Sequence, residues 1–188
     1  MKILVLDNYD SFTYNLVYIV RKLGYGGNMD VYRNDKINLD EVEAFDKILL
    51  SPGPGIPEEA GIMPELLKRY SSTKSILGVC LGHQAIGEAF GGTLTNLSEV
   101  LHGVASTVTV APDLLFEGIP DTFSIGRYHS WVINERTLSS DLEVIARTPD
   151  QQIMAVRHKE YDVRGVQFHP ESILTENGVA IMKNWLSA

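Results

Sequence analysis

The sequence predicts an α/β fold: an open, mostly parallel but mixed sheet with helices on both faces, and a small antiparallel β portion in the second half of the chain. Two observations lead to this prediction. In the first half, short apolar runs of strand length alternate with helical patterns, as in the units that build parallel sheets. After Gly91 and Gly92, β-type stretches follow one another without long helices between them, as in antiparallel pairs.

The chain opens with a predicted strand and helix. Ile3–Leu6 is an unbroken apolar run, which is typical of a strand covered on both faces. Ser11 is a suitable N-cap for the helix that follows, and Gly24 can end it. The apolar residues of this helix recur with helical spacing, at Phe12, Leu16, Ile19, Val20 and Leu23.

The same alternation continues to residue 90. Met29–Arg33, Ile48–Leu50 and Ser75–Cys80 are predicted strands. Pro64–Tyr70 is a predicted short helix that begins on its proline, and His83–Phe90 is the next helix. The alternation of strands and helices favours a parallel sheet.

The second half is predicted to be rich in strands that pair antiparallel. These stretches are Leu101–Val110, Phe123–Ile133, Leu142–Arg147, Ile153–Arg157 and Val163–Phe168. A last helix, Thr175–Leu186, carries Ile181, Met182 and Trp185 on one face and is expected to pack on the sheet.

Length and composition indicate one ordinary globular domain, predicted over residues 1–188. Of the 188 residues, 44% are hydrophobic and 21% are charged. The single cysteine cannot form an internal disulfide, and Asp7 cuts the first apolar run too short for a signal peptide, so a cytoplasmic location is expected. The net charge of −8 disfavours nucleic acid and anionic membrane surfaces as partners, and no apolar run approaches the ~20 residues that span a bilayer.

Cys80 is the first candidate for chemistry. A lone cysteine is more often a small buried hydrophobe than a nucleophile. Here, however, Gly78 and Gly82 flank it at −2 and +2, between a predicted strand and a predicted helix. This is the pattern of a nucleophile elbow, in which strand and helix approach so closely that side chains at the flanking positions would collide. The helix N-terminus behind the thiol favours the thiolate.

A nucleophilic cysteine needs a base, and the base needs a group that orients it. His169 and Glu171 are the best pair, separated only by Pro170. In extended chain, two-residue spacing would send both side chains to one side, so that the carboxylate could accept from one ring nitrogen while the other faces the thiol. His83 is the alternative base, but its own helix is expected to direct it away from the front of the thiol and to make it support the turn.

The loop Ser51–Pro57, rich in proline and glycine, follows a predicted strand and could supply backbone amides to a developing oxyanion. A rigid surface turn is the alternative interpretation of such a loop. The sequence does not indicate a metal or a nucleotide. His102, His129 and His158 lack metal-type spacing, Glu58 occupies the third glycine position of a dinucleotide fingerprint, and there is no phosphate-binding P-loop. No cofactor is predicted.

Five motifs together resemble the class I (triad) glutamine amidotransferases over essentially the whole chain. They are Gly78–Gln84, Ser51–Gly55, His169–Ser172, Tyr9–Leu16 and Arg127–Ser130. The last two are similar to motifs of the glutaminase subunits of anthranilate synthase and of 4-amino-4-deoxychorismate synthase. The resemblance implies the flavodoxin-like fold of the family.

The resemblance also implies roles for particular residues. Cys80 would attack the carboxamide carbon of L-glutamine, His169 would pass the proton to departing ammonia, and Glu171 would orient His169. The backbone amides of Gly53 and Leu81 would hold the oxyanion. Gly55, Gln84 and the backbone at Ser130 and Trp131 would position the glutamine. The ammonia would pass to a separate chorismate-binding synthase subunit in a hetero-oligomer.

Two departures from the family pattern stand out. Val104 follows His102 and Gly103 where the family commonly has lysine, and Trp131 stands where leucine is usual. The lysine's absence bears on the identity of the partner. Three alternatives to the anthranilate synthase subunit remain: the small subunit of 4-amino-4-deoxychorismate synthase, a stand-alone cysteine hydrolase of γ-glutamyl compounds, and a binding module without catalysis.

Overall fold

The computed structural model describes residues 1–188, with eleven strands and four α-helices labelled in chain order. The strands are β1 (Ile3–Asp7), β2 (Met29–Arg33), β3 (Lys47–Leu50), β4 (Ser75–Val79), β5 (Leu94–Asn96), β6 (Val104–Val110), β7 (Thr122–Arg127), β8 (Trp131–Ile133), β9 (Leu142–Arg147), β10 (Ile153–His158) and β11 (Val163–Val166). The α-helices are α1 (Thr13–Lys22), α2 (Met63–Tyr70), α3 (Leu81–Ala89) and α4 (Gly178–Ser187).

Nine strands form one mixed sheet in the order β2-β1-β3-β4-β11-β10-β9-β6-β7. The first five run parallel to one another, and the remaining neighbours pair antiparallel. Strands β5 and β8 form a separate antiparallel pair. The prediction of a mixed sheet with antiparallel strands in the second half is confirmed.

Helices cover both faces of the sheet, as predicted, because its central strands are apolar on both sides. In β1, Ile3 and Val5 belong to the core beneath α1 and α4, whereas Leu4 and Leu6 belong to the core beneath α2 and α3. All four side chains are fully buried. None of the helices combines the length and the apolar character needed to cross a membrane.

The register of the parallel strands brings four chain segments to one edge of the sheet. Leu6 of β1 is paired with Leu50 of β3, Leu50 with Gly78 of β4, and Val79 of β4 with Val166 of β11. These strands therefore end together. The segments that leave them lie side by side, as is usual for ligand sites of open α/β sheets.

Several predicted boundaries in the β-rich half were wrong. Phe123–Ile133 is two strands in two sheets, because residues 129 and 130 accept backbone hydrogen bonds from Leu101 and Leu97 and so leave the large sheet. Val163–Val166 pairs antiparallel with β10 but parallel with β4. Strand β5 was not predicted.

The two long helices also begin later than predicted. Phe12, not Ser11, is the N-cap of α1, because Asp10 accepts from the Phe12 backbone N–H at 3.0 Å in a turn that precedes the helix. Helix α4 begins at Gly178, not Thr175. The Thr175 hydroxyl donates to the carbonyl oxygen of His169 at 2.6 Å, which holds the chain outside the helix.

Candidate active site

Cys80 lies at a sharp turn between β4 and α3. Its backbone has φ 52° and ψ −100°, which is unusual for a residue with a side chain and costs about 1–3 kcal/mol. The residue is 6% exposed. As the N-cap of α3 it places its sulfur at the positive end of the helix, where a thiolate is favoured.

The two glycines beside Cys80 are needed for steric reasons, as expected. A Cβ on Gly78 would lie 2.4 Å from the carbonyl carbon of Gly82. A Cβ on Gly82 would lie 2.7 Å from the backbone oxygen and from the Cβ of Leu50. These neighbours are backbone atoms or lie close to the backbone, so moving them aside would distort the backbone and cost free energy.

Gly78→Ala is therefore expected to lower the free energy of unfolding by about 3 kcal/mol, the upper end of the usual cost of overpacking. Gly27→Ala is the matched control, because a Cβ on Gly27 would have no neighbour within 4 Å and the φ of this residue is not positive. Urea unfolding of both variants measures the difference. Equal stability of the two variants would contradict the steric account of the turn.

His169 and Glu171 form a buried, hydrogen-bonded pair. The distance from His169 Nδ1 to Glu171 Oε1 is 2.6 Å, and both side chains are at most 3% exposed. The backbone between them is a turn, in which the N–H of Ser172 donates to the carbonyl oxygen of His169 at 3.1 Å. The expectation of an extended segment was wrong, but the turn brings the two side chains together.

The thiol and the carboxylate set the protonation of His169. Burial by itself lowers the pKa of this imidazole, but its interactions with Cys80 and Glu171 outweigh burial and raise the pKa to about 10. Ring atom Nε2 is buried and makes no hydrogen bond, so it is free to exchange a proton with the thiol, which lines the same cavity. Near pH 7 the ring is an imidazolium, and this cation favours the thiolate of Cys80.

Two aromatic rings pack against His169. The centroid of Tyr128 lies 4.9 Å from that of the imidazole, and the centroid of Phe12 lies 5.6 Å from it in an edge-on arrangement. These contacts help to hold the imidazole in place. Both aromatic residues belong to motifs recognised in the sequence, but no contact with His169 was predicted for them.

The loop after β3 lies against the elbow. A Cβ on Gly53 would lie 2.7 Å from Cδ2 of Leu81 and 2.6 Å from Cβ of Asn8, so only glycine allows this approach. No backbone carbonyl accepts from the N–H groups of Gly53 or Leu81. These amides are available to an oxygen atom near the thiol, which is what an oxyanion site requires.

Two cavities meet at Cys80. The smaller, of about 190 Å³, is lined by all four predicted substrate-binding residues, namely Gly55, Gln84, Ser130 and Trp131. The larger, of about 530 Å³, is lined by His169 and by the loop after β1. Cys80 lines both cavities, which also share Gly53, Pro54, His102 and Tyr128.

His83 is not placed to act as the base. Its side chain is fully buried against Gly165, and burial lowers its pKa to about 3, so the ring is neutral near pH 7. It lies on α3 and packs against Gly165 of β11. No three His, Cys, Asp or Glu side chains are grouped so that they could hold a metal ion.

Sequence reasoning missed three residues that hold the site. Asn8 donates from its amide to the carbonyl oxygen of Ser51 at 2.8 Å and so secures the loop that carries Gly53. Gly178 allows α4 to approach the carbonyl of Pro170, since a Cβ there would lie 1.9 Å from that oxygen. Gln167 contacts the thiol. Their long-range contacts leave no local signal in the sequence.

Comparisons with known proteins agree with this geometry. The family model described as glutamine amidotransferase class-I matches residues 4–188. Anthranilate synthase component 2 of Mycobacterium tuberculosis is 48% identical, over 100% of this chain and 82% of that protein. Aminodeoxychorismate/anthranilate synthase component 2 of Bacillus subtilis is 43% identical, over 98% of this chain and 95% of that protein.

Longer proteins and a solved structure are also similar. The bifunctional protein TrpGD of Thermotoga maritima is 44% identical over 99% of this chain, which spans 32% of that protein's length. A crystal structure from Thermoplasma acidophilum, of a protein described as a GMP synthase subunit, superposes with a TM-score of 0.88 at 26% identity. It covers 100% of this chain and 92% of the other.

Proposed function

This chain belongs to the class I glutamine amidotransferase family, and from that premise we propose that its residues 1–188 form one domain in which Cys80, His169 and Glu171 hydrolyse L-glutamine. The observation that carries the proposal is the buried His169–Glu171 pair in the cavity that also holds the thiol of a strained elbow, with Nε2 of His169 making no hydrogen bond. A nucleophile, a base and a group that orients the base are the parts that acyl transfer needs.

In the first half of the reaction, the Cys80 thiolate attacks the γ-carboxamide carbon of glutamine, and the carbonyl electrons move to the oxygen. The N–H groups of Gly53 and Leu81 stabilise that oxyanion, each donor being worth on the order of 3 kcal/mol in comparable sites. The His169 imidazolium then gives its proton to the amide nitrogen. The C–N bond breaks, and ammonia leaves a γ-glutamyl thioester on Cys80.

In the second half, His169 is neutral and takes a proton from water as the water oxygen attacks the thioester. Collapse of the tetrahedral intermediate releases glutamate and restores the thiolate beside the imidazolium. Glu171 keeps Nδ1 protonated throughout, so Nε2 is the atom that exchanges protons. The balance is glutamine and water to glutamate and ammonia.

The 190 Å³ cavity is the proposed glutamine site. Gln84 and the peptide groups at Ser130 and Trp131 are polar groups that can hold the amino-acid end of the substrate. Gly55 lines this cavity with φ 74°, a backbone conformation that favours glycine, and a Cβ there would lie 2.7 Å from a carboxylate oxygen of Glu59. Glutamine in this pocket would present its amide to Cys80, which lines the same cavity.

We further propose that the ammonia is used by a chorismate-binding synthase subunit in a hetero-oligomer. This rests on the relatives, whose names describe components of anthranilate synthase and aminodeoxychorismate synthase. The leading proposal is anthranilate synthase. The Bacillus subtilis relative carries both names, which favours aminodeoxychorismate synthase as the second candidate for this chain.

Purification of the tagged chain with the synthase subunit it retains, followed by an assay with glutamine and chorismate, tests the proposal. We expect glutaminase activity to be weak in the isolated chain and stronger in the complex. Mass spectrometry of the aminated product, anthranilate or 4-amino-4-deoxychorismate, decides between the two synthases. A preference of the isolated chain for γ-glutamyl peptides over glutamine would instead favour the stand-alone hydrolase.

A further inference from the structure

Besides the catalytic histidine, one side-chain amide lies close to the Cys80 sulfur. Nε2 of Gln167 is 3.6 Å from Sγ, within the range of a hydrogen bond to sulfur. The other polar neighbour is the carbonyl oxygen of Tyr128 at 4.0 Å, to which only a protonated thiol could donate. Gln167 is therefore the uncharged group that can stabilise the ionised sulfur.

Gln167 is held rigidly at this position. It is completely buried, it directly follows β11, and its backbone N–H donates to the carbonyl oxygen of Met154 at 2.8 Å. A buried amide side chain loses free energy unless its polar atoms find partners. Its oxygen accepts from Nε2 of Gln84 at 3.3 Å, and its nitrogen faces the sulfur.

The orientation of the Gln167 amide follows from the partners of Gln84. Nε2 of Gln84 lies 2.9 Å from the carbonyl oxygen of Trp131, which can only accept. The atom of Gln84 at this junction must therefore be the nitrogen, and its second hydrogen points to Gln167. The atom of Gln167 that meets it must be the oxygen, which leaves the Gln167 nitrogen for Sγ.

A second chain of hydrogen bonds also ends on the carbonyl oxygen of Trp131. Arg127 can only donate, and its Nε lies 3.2 Å from Nε2 of His129. His129 must accept there, so its hydrogen is on Nδ1, which lies 3.0 Å from the Trp131 oxygen. Burial, with the Arg127 charge, lowers the pKa of His129 to about 3, so the ring stays neutral and keeps this tautomer.

We propose that Gln167 is a catalytic residue that donates a hydrogen bond to the Cys80 thiolate, and that Gln84 and the Trp131 carbonyl fix its amide in the donating orientation. The inference deepens the proposed function, on which it rests, because it concerns the same thiol. The side chains of Gln84 and Gln167 would also connect the wall of the glutamine pocket to the nucleophile.

The physical consequence concerns the resting thiolate. A charge-assisted hydrogen bond stabilises the anion more than the neutral thiol, so the donor raises the thiolate fraction where ionisation is incomplete. Without it, fewer molecules carry the nucleophile at low pH. At high pH the sulfur is ionised with or without the donor, and the difference disappears.

Gln167→Met tests the proposal, because methionine has a similar length and volume but no donor. Cys80 is the only cysteine, so iodoacetamide alkylation reads its ionisation without requiring glutaminase activity. We expect the alkylation rate at pH 6 to fall about tenfold and to approach the wild-type rate near pH 9.5. Gln151→Met is the control, since that side chain is exposed and lines neither of the two cavities at Cys80.

The substitution changes none of the titratable groups around the sulfur. These are His169 and, on the walls of the two cavities, Tyr9, Asp10, His102, Tyr128 and His129. A wild-type pH profile in Gln167→Met would overturn the proposal, and so would a loss of the same size at every pH, which would indicate lost access or folding.

Gln84→Met provides an independent variant if Gln167→Met does not fold. It leaves Gln167 in place but removes the hydrogen bond that orients its amide. We therefore expect a smaller fall in the alkylation rate at pH 6 than in Gln167→Met, and again a return to the wild-type rate at high pH. Unchanged alkylation in this variant would contradict the orienting role. If the wild-type chain hydrolysed no glutamine but these profiles shifted as expected, the proposed function would fail and the hydrogen bond would stand.

Discussion

Cys80→Ala is expected to abolish glutamine-dependent amination, with kcat lowered by about 10⁴-fold or more. The variant has no atom that can form the thioester, so positioned water would have to attack the carboxamide without covalent catalysis. The substitution removes a sulfur from a site that is 6% exposed and leaves the elbow backbone in place, so the fold should persist.

The complex with the synthase subunit supplies the control for this prediction. Ammonium salt at high concentration replaces the ammonia that Cys80 would release, so amination supported by ammonium should be nearly unchanged in Cys80→Ala. Both rates can be followed by product formation from chorismate. Glutamine-dependent activity at the wild-type level would rule out thioester catalysis by this thiol.

Glu171→Gln is expected to lower kcat/KM for glutamine by about 10²-fold, a smaller loss than wrong-tautomer variants of serine proteases show. Glutamine can still accept from Nδ1 of His169 through its oxygen, but it brings no negative charge. The pKa of His169 therefore falls, and the imidazolium that must form as water attacks the thioester is less stable. Stopped assays of glutamate formation measure the effect, and unchanged kcat/KM would contradict it.

The raised pKa of His169 also predicts how stability depends on pH. A histidine with a pKa of about 10 in the folded chain, against about 6.5 when unfolded, stabilises the fold fully below the unfolded value. This stabilisation is lost as pH rises through 10. Because Glu171→Gln lowers the folded pKa, its cost in free energy of unfolding should be larger at pH 7 than at pH 10. Urea unfolding at both values tests the sign.

Much of the fold could be predicted because its signals are local. Runs such as Met29–Arg33 and Leu142–Arg147 became strands with the predicted bounds, since β-type runs bounded by turn residues carry their own structure. Boundaries failed where a distant partner decides the conformation. Thr175 stays outside α4 because its hydroxyl donates to the carbonyl oxygen of His169, and nothing near Thr175 in the sequence indicates that bond.

Some residues of the candidate site could likewise be predicted from local sequence signals, and others could not. Cys80 could be singled out because the glycines on either side of it are a short-range consequence of the elbow. The partnership of His169 with Glu171 was predicted as well, although with an extended backbone in place of the observed turn. Gln167 and Asn8 were not singled out, because a buried amide is recognisable only once its partners are known.

The order of residues along this chain was sufficient to indicate an α/β sheet, a cysteine elbow and a histidine–carboxylate pair. Only the tertiary structure decided that β11 lies beside β4, which brings Cys80 and His169 together from 89 positions apart. The same packing decided the protonation of His169 and the direction of the Gln167 amide. Strand and turn preferences act over a few residues, whereas burial, charge and hydrogen-bond polarity depend on groups that meet only when the sheet is complete.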